Sequence, residues 1–125
     1  MKQRKITLAL ADDNNLLRQL LCKELNHDAR FKVLYDVACG RDFIKQFRQQ
    51  QPDIVLLDLL MPNGNGFMVL KMLEDNFPET KVLILTRQPE EPYVCEAMKY
   101  GCKGFVNKDL GYEEIIKALL VIYDG

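Results

Sequence analysis

The stretch "DIVLLDLLMPNGNG", residues 53–66, joins an unbroken apolar run to a carboxylate and a glycine-rich segment. Positions 54–57 are all apolar, which predicts a β-strand buried on both faces of a sheet. Asp58 ends that run, and the residues after it predict a turn. In open α/β sheets, ligands bind outside the carboxyl ends of the strands. We therefore treat Asp58 as the first candidate functional residue.

The rest of the chain repeats this plan of short apolar strands separated by longer helical segments. The predicted strands are residues 6–11, 31–37, 53–59, 81–86 and 104–107. Between and after them, apolar residues recur at three- and four-residue spacing, which predicts five helices. Strict alternation favours a parallel sheet with helices on both faces, because parallel neighbours need crossover connections. The sequence predicts a single doubly wound α/β domain over residues 1–125.

The first and last predicted helices show this spacing. In the first it involves Leu16, Leu17, Leu20, Leu21 and Leu25, and in the last Ile115, Ile116, Leu119, Leu120 and Tyr123.

Composition excludes several classes of protein. Seventeen basic against eighteen acidic residues leave a formal charge of −1, so no broad nucleic-acid footprint is expected on this domain. The first apolar run stops at Asp12 and lacks the features of a signal peptide, and no run approaches the roughly 20 residues of a membrane span. The four cysteines form no CxxC pair and are expected to be core residues or surface thiols. The sequence thus predicts a soluble, cytoplasmic protein.

Polar residues gather where the predicted strands end. Asp12 and Asp13 end the first strand, Asp58 the third and Thr86 the fourth, while Lys108 follows the fifth. Parallel strands end at one edge of their sheet, so these side chains should converge. Three adjacent carboxylates repel one another unless a cation joins them, and Mg²⁺ is the cation that best fits such oxygen ligands. Such a site suits phosphoryl transfer, with an aspartate as nucleophile.

Simpler explanations exist for each of these residues taken alone. Asp12 and Asp13 could cap the first helix, although capping leaves Asp58 unexplained. Lys108 could be a solvated surface lysine. We expect Gly64 and Gly66 to shape the loop after Asp58 and to bind nothing through side chains.

Several separated motifs together resemble the receiver domain of two-component response regulators. They are "LADDN", "LLDLLMPNGNG" with Met61, Pro62 and Gly66, "ILT", and "GFVNKD". The match covers essentially the whole chain. The resemblance implies a flavodoxin-like fold with strand order 2-1-3-4-5. The "KD" ending, the "QPDIVLLD" segment and "EEIIKAL" resemble in particular receivers that carry a helix-turn-helix DNA-binding domain.

The resemblance implies a role for each site residue. Asp58 would accept a phosphoryl group from a sensor histidine kinase, and the chain would catalyse only its own phosphorylation and dephosphorylation. Asp13 would bind Mg²⁺ directly and Asp12 partly through water. The main-chain carbonyl of Leu60 would complete the metal shell.

The resemblance also implies how the signal leaves the site. Lys108 and Thr86 would bind phosphoryl oxygens, and the rotamer of Phe105 would report the state. The output would be a separate DNA-binding domain, or a homodimer through the face of the fourth helix, fifth strand and fifth helix. A free-standing receiver that acts by protein–protein contact is the alternative.

Three features depart from the family pattern. Arg87 follows the switch threonine where a small residue is usual, so it could modulate the lifetime of the phosphoryl group. Phe105 lacks the hydroxyl of the commoner tyrosine. In "QPEEPY", residues 88–93, two prolines should stiffen a segment that is mobile in the family.

Two functions from other classes compete with a receiver. A magnesium-dependent aspartyl-phosphate hydrolase generally has a second acid two residues after its nucleophile, where this chain has Leu60. A receiver-like binding module that has lost phosphorylation would lack an acid or the lysine, and neither is missing here.

Overall fold

The computed structural model describes residues 4–61, 66–87 and 92–125. Within these ranges the strands β1 to β5 are Ile6–Ala11, Phe31–Val37, Ile54–Asp58, Lys81–Thr86 and Gly104–Asn107. The helices α1 to α5 are Asn15–His27, Gly40–Gln49, Gly66–Asn76, Pro92–Lys99 and Tyr112–Asp124, and a short 3₁₀ helix, Lys108–Leu110, precedes α5. The predicted alternation of strands and helices is confirmed. Of the predicted strands, only the third differs in length, by one residue at each end.

The strands form one parallel sheet in the order β2-β1-β3-β4-β5. This order confirms the α/β flavodoxin-like fold that the sequence predicts. The direction of winding reverses at β1, since β2 lies on one side of it and β3 on the other. A crevice therefore opens at the carboxyl ends of β1 and β3, where such sheets bind ligands.

The sheet is buried on both faces, which explains why its central strands are apolar at every position. Along β1, Ile6, Leu8 and Leu10 pack in one core, while Ala9 and Ala11 pack in the other. The strands β3 and β4 alternate between the two cores in the same way. One core includes residues of α1 and α5, and the other includes residues of α2, α3 and α4. Two apolar layers thus hold the strand ends in fixed positions.

The predicted helix α1 is confirmed, and it buries two of its five leucines. Leu21 and Leu25 are buried, but Leu16 is 70% and Leu20 is 50% exposed. Leu17, Leu21 and Leu25 follow one another at four-residue intervals, so they share a narrow stripe on the helix. Leu16 and Leu20 lie about 100° around the axis from that stripe. Because the helix rests on the sheet along the stripe alone, the second pair of leucines faces outward.

Two sequence-based expectations about composition can be compared with the structure. All four cysteines are free thiols, with Cys102 buried and Cys95 exposed, as expected. In the part of the chain that the structure describes, no helix has both the length and the apolar character needed to cross a membrane. Pro62, Gly64 and most of the "QPEEPY" segment, at residues 88–91, lie outside the described residues.

Candidate phosphoryl-acceptor site

The polar residues at the strand ends come together at the carboxyl edge of the sheet. Asp58 is the last residue of β3 and Thr86 the last of β4, while Lys108 directly follows β5. These side chains open onto a cavity of about 400 Å³. Its wall consists of Asp13, Asn14, Asp58, Leu60, Thr86, Arg87, Tyr93 and Lys108. We call this cavity and Asp12 beside it the acidic pocket.

Three carboxylates form the centre of the acidic pocket. Asp12, Asp13 and Asp58 each offer an oxygen atom, and these oxygens all lie within 4.8 Å of one another. Asp12 is 1% and Asp58 is 7% exposed, whereas Asp13 faces solvent. Within residues 4–61, 66–87 and 92–125, no second cluster of metal-ligating side chains of this kind occurs. The concentration of negative charge is therefore specific to this edge of the sheet.

Helix capping does not explain the acidic pair. Asn14 caps α1, since its side-chain oxygen accepts a hydrogen bond of 3.0 Å from the amide of Leu17. Asp12 instead accepts a bond of 2.9 Å from the amide of Asn14, which holds the Asp12 carboxylate against the turn. Neither aspartate occupies the capping position, so the simpler explanation is wrong.

Arg18 is a supporting residue that the sequence did not indicate. Its guanidinium donates to the main-chain carbonyl of Asp12 at 2.7 Å and to the carboxylate of Asp36 in β2 at 2.9 Å. The side chain is only 11% exposed. It thereby fixes the backbone that carries the acidic pair. An arginine six residues after Asp12 offers no pattern that would have pointed to this contact.

Lys108 is the buried cation of the acidic pocket, not a solvated surface lysine. Its ammonium lies 3.0 Å from Oδ2 of Asp12 and 3.5 Å from Oδ2 of Asp58. The lysine side chain is 7% exposed. One ammonium against three carboxylates leaves an excess of negative charge, which is the condition that favours a bound cation.

Burial raises the pKa of the Asp58 carboxyl to about 6. The amide of Leu60, which donates to Oδ1 of Asp58 at 3.0 Å, opposes that rise, as does the charge of Lys108. Asp12 and Asp13 raise the pKa further. A carboxylate that is costly to ionise is a better nucleophile and gains most from a cation or a reaction partner.

Gly66 has a more definite role than the turn residue that the sequence suggested. Its amide donates to the carbonyl of Leu59 at 2.9 Å. A Cβ atom at this position would stand 2.6 Å from the carbonyl oxygen of Asp58 and closer still to Cα of Leu59. Any side chain would displace the backbone that carries Asp58. The glycine is therefore needed to place Asp58.

Tyr93 lines the acidic pocket and is a second residue that sequence analysis missed. Its hydroxyl lies 3.2 Å from Oγ1 of Thr86, which is 3% exposed. Tyr93 belongs to the first turn of α4, so the bond links that helix to the end of β4. Nothing in the sequence spacing of Tyr93 indicates a contact with Thr86.

Of the two remaining predicted residues, Arg87 lies at the rim of the acidic pocket and Phe105 lies outside it. Nε of Arg87 is 3.4 Å from Oδ1 of Asp109, and both side chains are more than half exposed. Phe105 is 45% exposed and is absent from the wall of the acidic pocket. It lines a shallow groove with Lys117, Ala118 and Val121 of α5.

The sheet order β2-β1-β3-β4-β5 defines a flavodoxin-like α/β domain, and the acidic cluster and the buried Lys108 lie at the carboxyl edge of its sheet. Comparison with known families agrees, because the model described as "Response regulator receiver domain" matches residues 8–120. The chain belongs to the response regulator receiver domain family.

The chain is also similar to individual curated proteins. The oxygen regulatory protein NreC of Staphylococcus epidermidis is 33% identical over 119 residues, which are 94% of this chain and 55% of that protein. NreC of Staphylococcus aureus is 32% identical over the same share of each chain. This chain thus spans about half the length of these curated relatives.

Solved structures of response regulators are also similar to this chain. The receiver domain of the putative response regulator NarL from Mycobacterium tuberculosis superposes with a TM-score of 0.89 at 28% identity, covering 98% of this chain and 99% of that one. A LuxR-family DNA-binding response regulator from Staphylococcus aureus superposes with a TM-score of 0.87 at 27% identity, covering 94% and 98%. Both of these solved proteins are response regulators, and the second is described as a DNA-binding member of the LuxR family.

Proposed function

We propose that this receiver accepts a phosphoryl group on Asp58 and that residues 1–125 act as one switching domain. The observation that carries the proposal is the position of Asp58: it ends a central strand, beside two other carboxylates and 3.5 Å from the ammonium of Lys108. No other described carboxylate combines such burial with an open cavity.

The positions of the residues in the acidic pocket support a role for each of them in the transfer. An oxygen of Asp58 attacks phosphorus and forms an acyl phosphate, while the bond from phosphorus to the donor breaks and its electron pair stays with the donor. Lys108 neutralises charge on the transferred group, and the Thr86 hydroxyl donates to one of its oxygens. Hydrolysis of the acyl phosphate restores Asp58. The domain thereby changes only itself and turns over no outside substrate.

The acidic cluster suits Mg²⁺. Octahedral Mg²⁺ has ligands at about 2.0–2.1 Å, so its oxygen ligands stand roughly 3 to 4 Å apart. The three carboxylate oxygens, within 4.8 Å of one another, need only a small inward movement to meet that spacing. Asp13 and Asp58 would bind the ion directly, Asp12 partly through water, and the carbonyl of Leu60 would complete the set. The ion would neutralise charge that develops on the phosphoryl oxygens.

The receiver family to which the chain belongs implies two partners, a kinase and an output domain. A sensor histidine kinase would supply the phosphoryl group in the cytoplasm, and a DNA-binding domain outside this chain would read the switch and control transcription. The NreC relatives, described as oxygen regulatory proteins, are almost twice as long as this chain, which leaves room for such a domain. With a formal charge of −1, the receiver itself would make no direct contact with nucleic acid. A free-standing receiver that acts through protein contacts is the second candidate.

Labelling with a small phosphodonor tests the proposal. Wild-type protein incubated with acetyl phosphate and Mg²⁺ should gain one phosphoryl group in its intact mass. Asp58→Asn should gain none, and Asp13→Ala should be labelled poorly even at high Mg²⁺. Asp75→Ala, which removes a surface carboxylate paired with Lys71, is the matched control and should behave as wild type. Equal labelling of wild type and Asp58→Asn would overturn the proposal.

A further inference from the structure

The Asp13 carboxylate is the most exposed of the three in the acidic pocket. Asp12 and Asp58 are buried, so their neighbours hold them on several sides, whereas Asp13 faces solvent. The position of Asp13 therefore depends mainly on the backbone that carries it. The peptide group between Asp12 and Asp13 is planar, so the carbonyl of Asp12 and the Cα atom of Asp13 move together.

The guanidinium of Arg18, in α1, holds that peptide group. Its Nη1 donates to the carbonyl of Asp12 at 2.7 Å, and its Nε donates to Oδ2 of Asp36 at 2.9 Å. The amide of Asp12 donates in turn to the carbonyl of Val37 at 3.1 Å. Asp36 and Val37 are the last two residues of β2. Because a guanidinium presents its donors in a rigid fork, Arg18 joins α1, the turn after β1 and the end of β2.

The charge of Arg18 does not explain its place beside the acidic pocket. A cation there would by itself repel Mg²⁺. The carboxylate of Asp36, 2.9 Å away, offsets that charge, and the arginine side chain is only 11% exposed. What Arg18 contributes to the pocket is therefore geometry.

We propose that Arg18 is a positioning residue for the metal site: through the carbonyl of Asp12 it orients the peptide group that carries Asp13, so that the Asp13 carboxylate is already placed to bind Mg²⁺. This inference rests on the proposed function, in which Asp13 is a direct ligand. Groups that orient a metal ligand without touching the metal contribute to its affinity, since less ordering is left to the binding step.

Two substitutions that change the charge in opposite directions separate position from charge. Arg18→Met removes a cation and Asp36→Ala removes an anion, so charge alone would tighten Mg²⁺ binding in the first and weaken it in the second. Loss of the fork should weaken binding in both. Calorimetric titration with Mg²⁺ at high ionic strength, where charge effects are screened, should show about three- to tenfold weaker affinity for Arg18→Met and a smaller loss for Asp36→Ala.

Two further variants complete the set. Arg18→Lys keeps the charge but has no fork, so its Mg²⁺ affinity should stay below that of wild type. Arg30→Met is the matched control: Arg30 pairs with Asp28 at 2.7 Å, just before the first residue of β2 and so at the end of that strand remote from the acidic pocket. Its affinity should equal that of wild type. Asp36 is 39% exposed, so the Asp36→Ala arm leaves the core intact whatever Arg18→Met does to folding.

Labelling by acetyl phosphate gives a second measurement. Arg18→Met should need about three- to tenfold more Mg²⁺ for its half-maximal rate and should approach the wild-type rate once Mg²⁺ saturates. A lower rate at saturating Mg²⁺, with an unchanged half-maximal concentration, would overturn the inference, because Arg18 would then not act through the metal site.

The outcomes distinguish this inference from the proposed function. Mg²⁺ binding that is lost in Asp13→Ala but unchanged or tighter in Arg18→Met would overturn the inference alone. Opposite changes in Arg18→Met and Asp36→Ala, or wild-type affinity in Arg18→Lys, would do the same, because charge would then account for the contact. Equal labelling of wild type and Asp58→Asn, or Mg²⁺ affinity unchanged in Asp13→Ala, would overturn the proposed site and the inference with it.

Discussion

The ammonium of Lys108 lies closer to Asp12, at 3.0 Å, than to Asp58, at 3.5 Å. The lysine thus has a buried partner before any phosphoryl group is present. A phosphoryl group on Asp58 would have to compete with Asp12 for this cation. We expect the balance of charge between these residues to affect both the stability of the domain and its response to phosphorylation.

Lys108→Met should destabilise the domain at neutral pH by about 2 to 4 kcal/mol, because it leaves the buried Asp12 carboxylate facing Asp58 without a cation. Urea unfolding gives the free energy, and added Mg²⁺ should restore part of it. Lys71→Met, which removes an exposed partner of Asp75, should cost less than about 0.5 kcal/mol. Similar losses of unfolding free energy in Lys108→Met and Lys71→Met would show that the buried ion pairs of Lys108 add nothing to stability.

Asp58→Asn should stabilise the metal-free domain at pH 7 but not at pH 4. Burial raises the pKa of Asp58 in the folded state to about 6, above its unfolded value. As a protonated carboxyl, Asp58 therefore makes its full contribution to the free energy of unfolding below about pH 4. That contribution is lost as the pH rises through about 6. Asparagine is neutral throughout, so its advantage should grow over this window to roughly 1 to 3 kcal/mol. Unfolding curves in EDTA that differ equally at both pH values would contradict the raised pKa.

Arg87 should control the lifetime of the acyl phosphate, since its side chain lines the acidic pocket and can shield the group from water. Arg87→Ala should therefore dephosphorylate faster. Asp109→Ala removes the ion-pair partner of Arg87, 3.4 Å away, and should slow the reaction by freeing Arg87 to reach the phosphoryl group. Loss of label can be followed by intact mass. Dephosphorylation rates within about twofold of wild type correspond to less than half a kcal/mol in the barrier. Such rates would show that neither Arg87 nor Asp109 controls the lifetime of the acyl phosphate.

Phosphorylation should promote a homodimer through the face of α4, β5 and α5. The exposed ring of Phe105 and the side chain of Val121, 72% exposed, supply apolar contact area there. Sedimentation with beryllofluoride should show association in wild type but not in Thr86→Ala or Val121→Glu. Leu16→Glu changes a leucine of similar exposure, 70%, on α1 and is the control. If the mimic binds and neither association nor the environment of Phe105 changes, this face is not the output surface.

Much of the fold could be predicted because its causes are local. A parallel strand buried on both faces has to be apolar at every position, and Ile54 to Leu57 satisfy this rule with no exposed surface. The strand ends then place Asp12, Asp58, Thr86 and Lys108 at one edge without further information. The strand order came from the family resemblance, since alternation alone leaves it open.

The contacts that sequence analysis missed depend on tertiary packing. Arg18 reaches the carbonyl of Asp12 and Tyr93 reaches Thr86 only because helices dock at particular angles. Gly66 could be recognised as a turn residue, but its approach to the Asp58 backbone required coordinates. Leu16 and Leu20 belong to the apolar pattern of α1 but are exposed, because hydrophobic spacing identifies a helix and not how much of its apolar face a neighbour covers.

Direct mapping of the phosphorylated residue tests the central claim. Wild-type protein treated with acetyl phosphate and Mg²⁺ is reduced with borohydride, which converts an aspartyl phosphate to homoserine, and the peptides are sequenced by mass spectrometry. The account predicts homoserine at position 58 alone, dependent on Mg²⁺ and absent after hydroxylamine treatment. Homoserine at Asp12 or Asp13, or label that resists hydroxylamine, would contradict it.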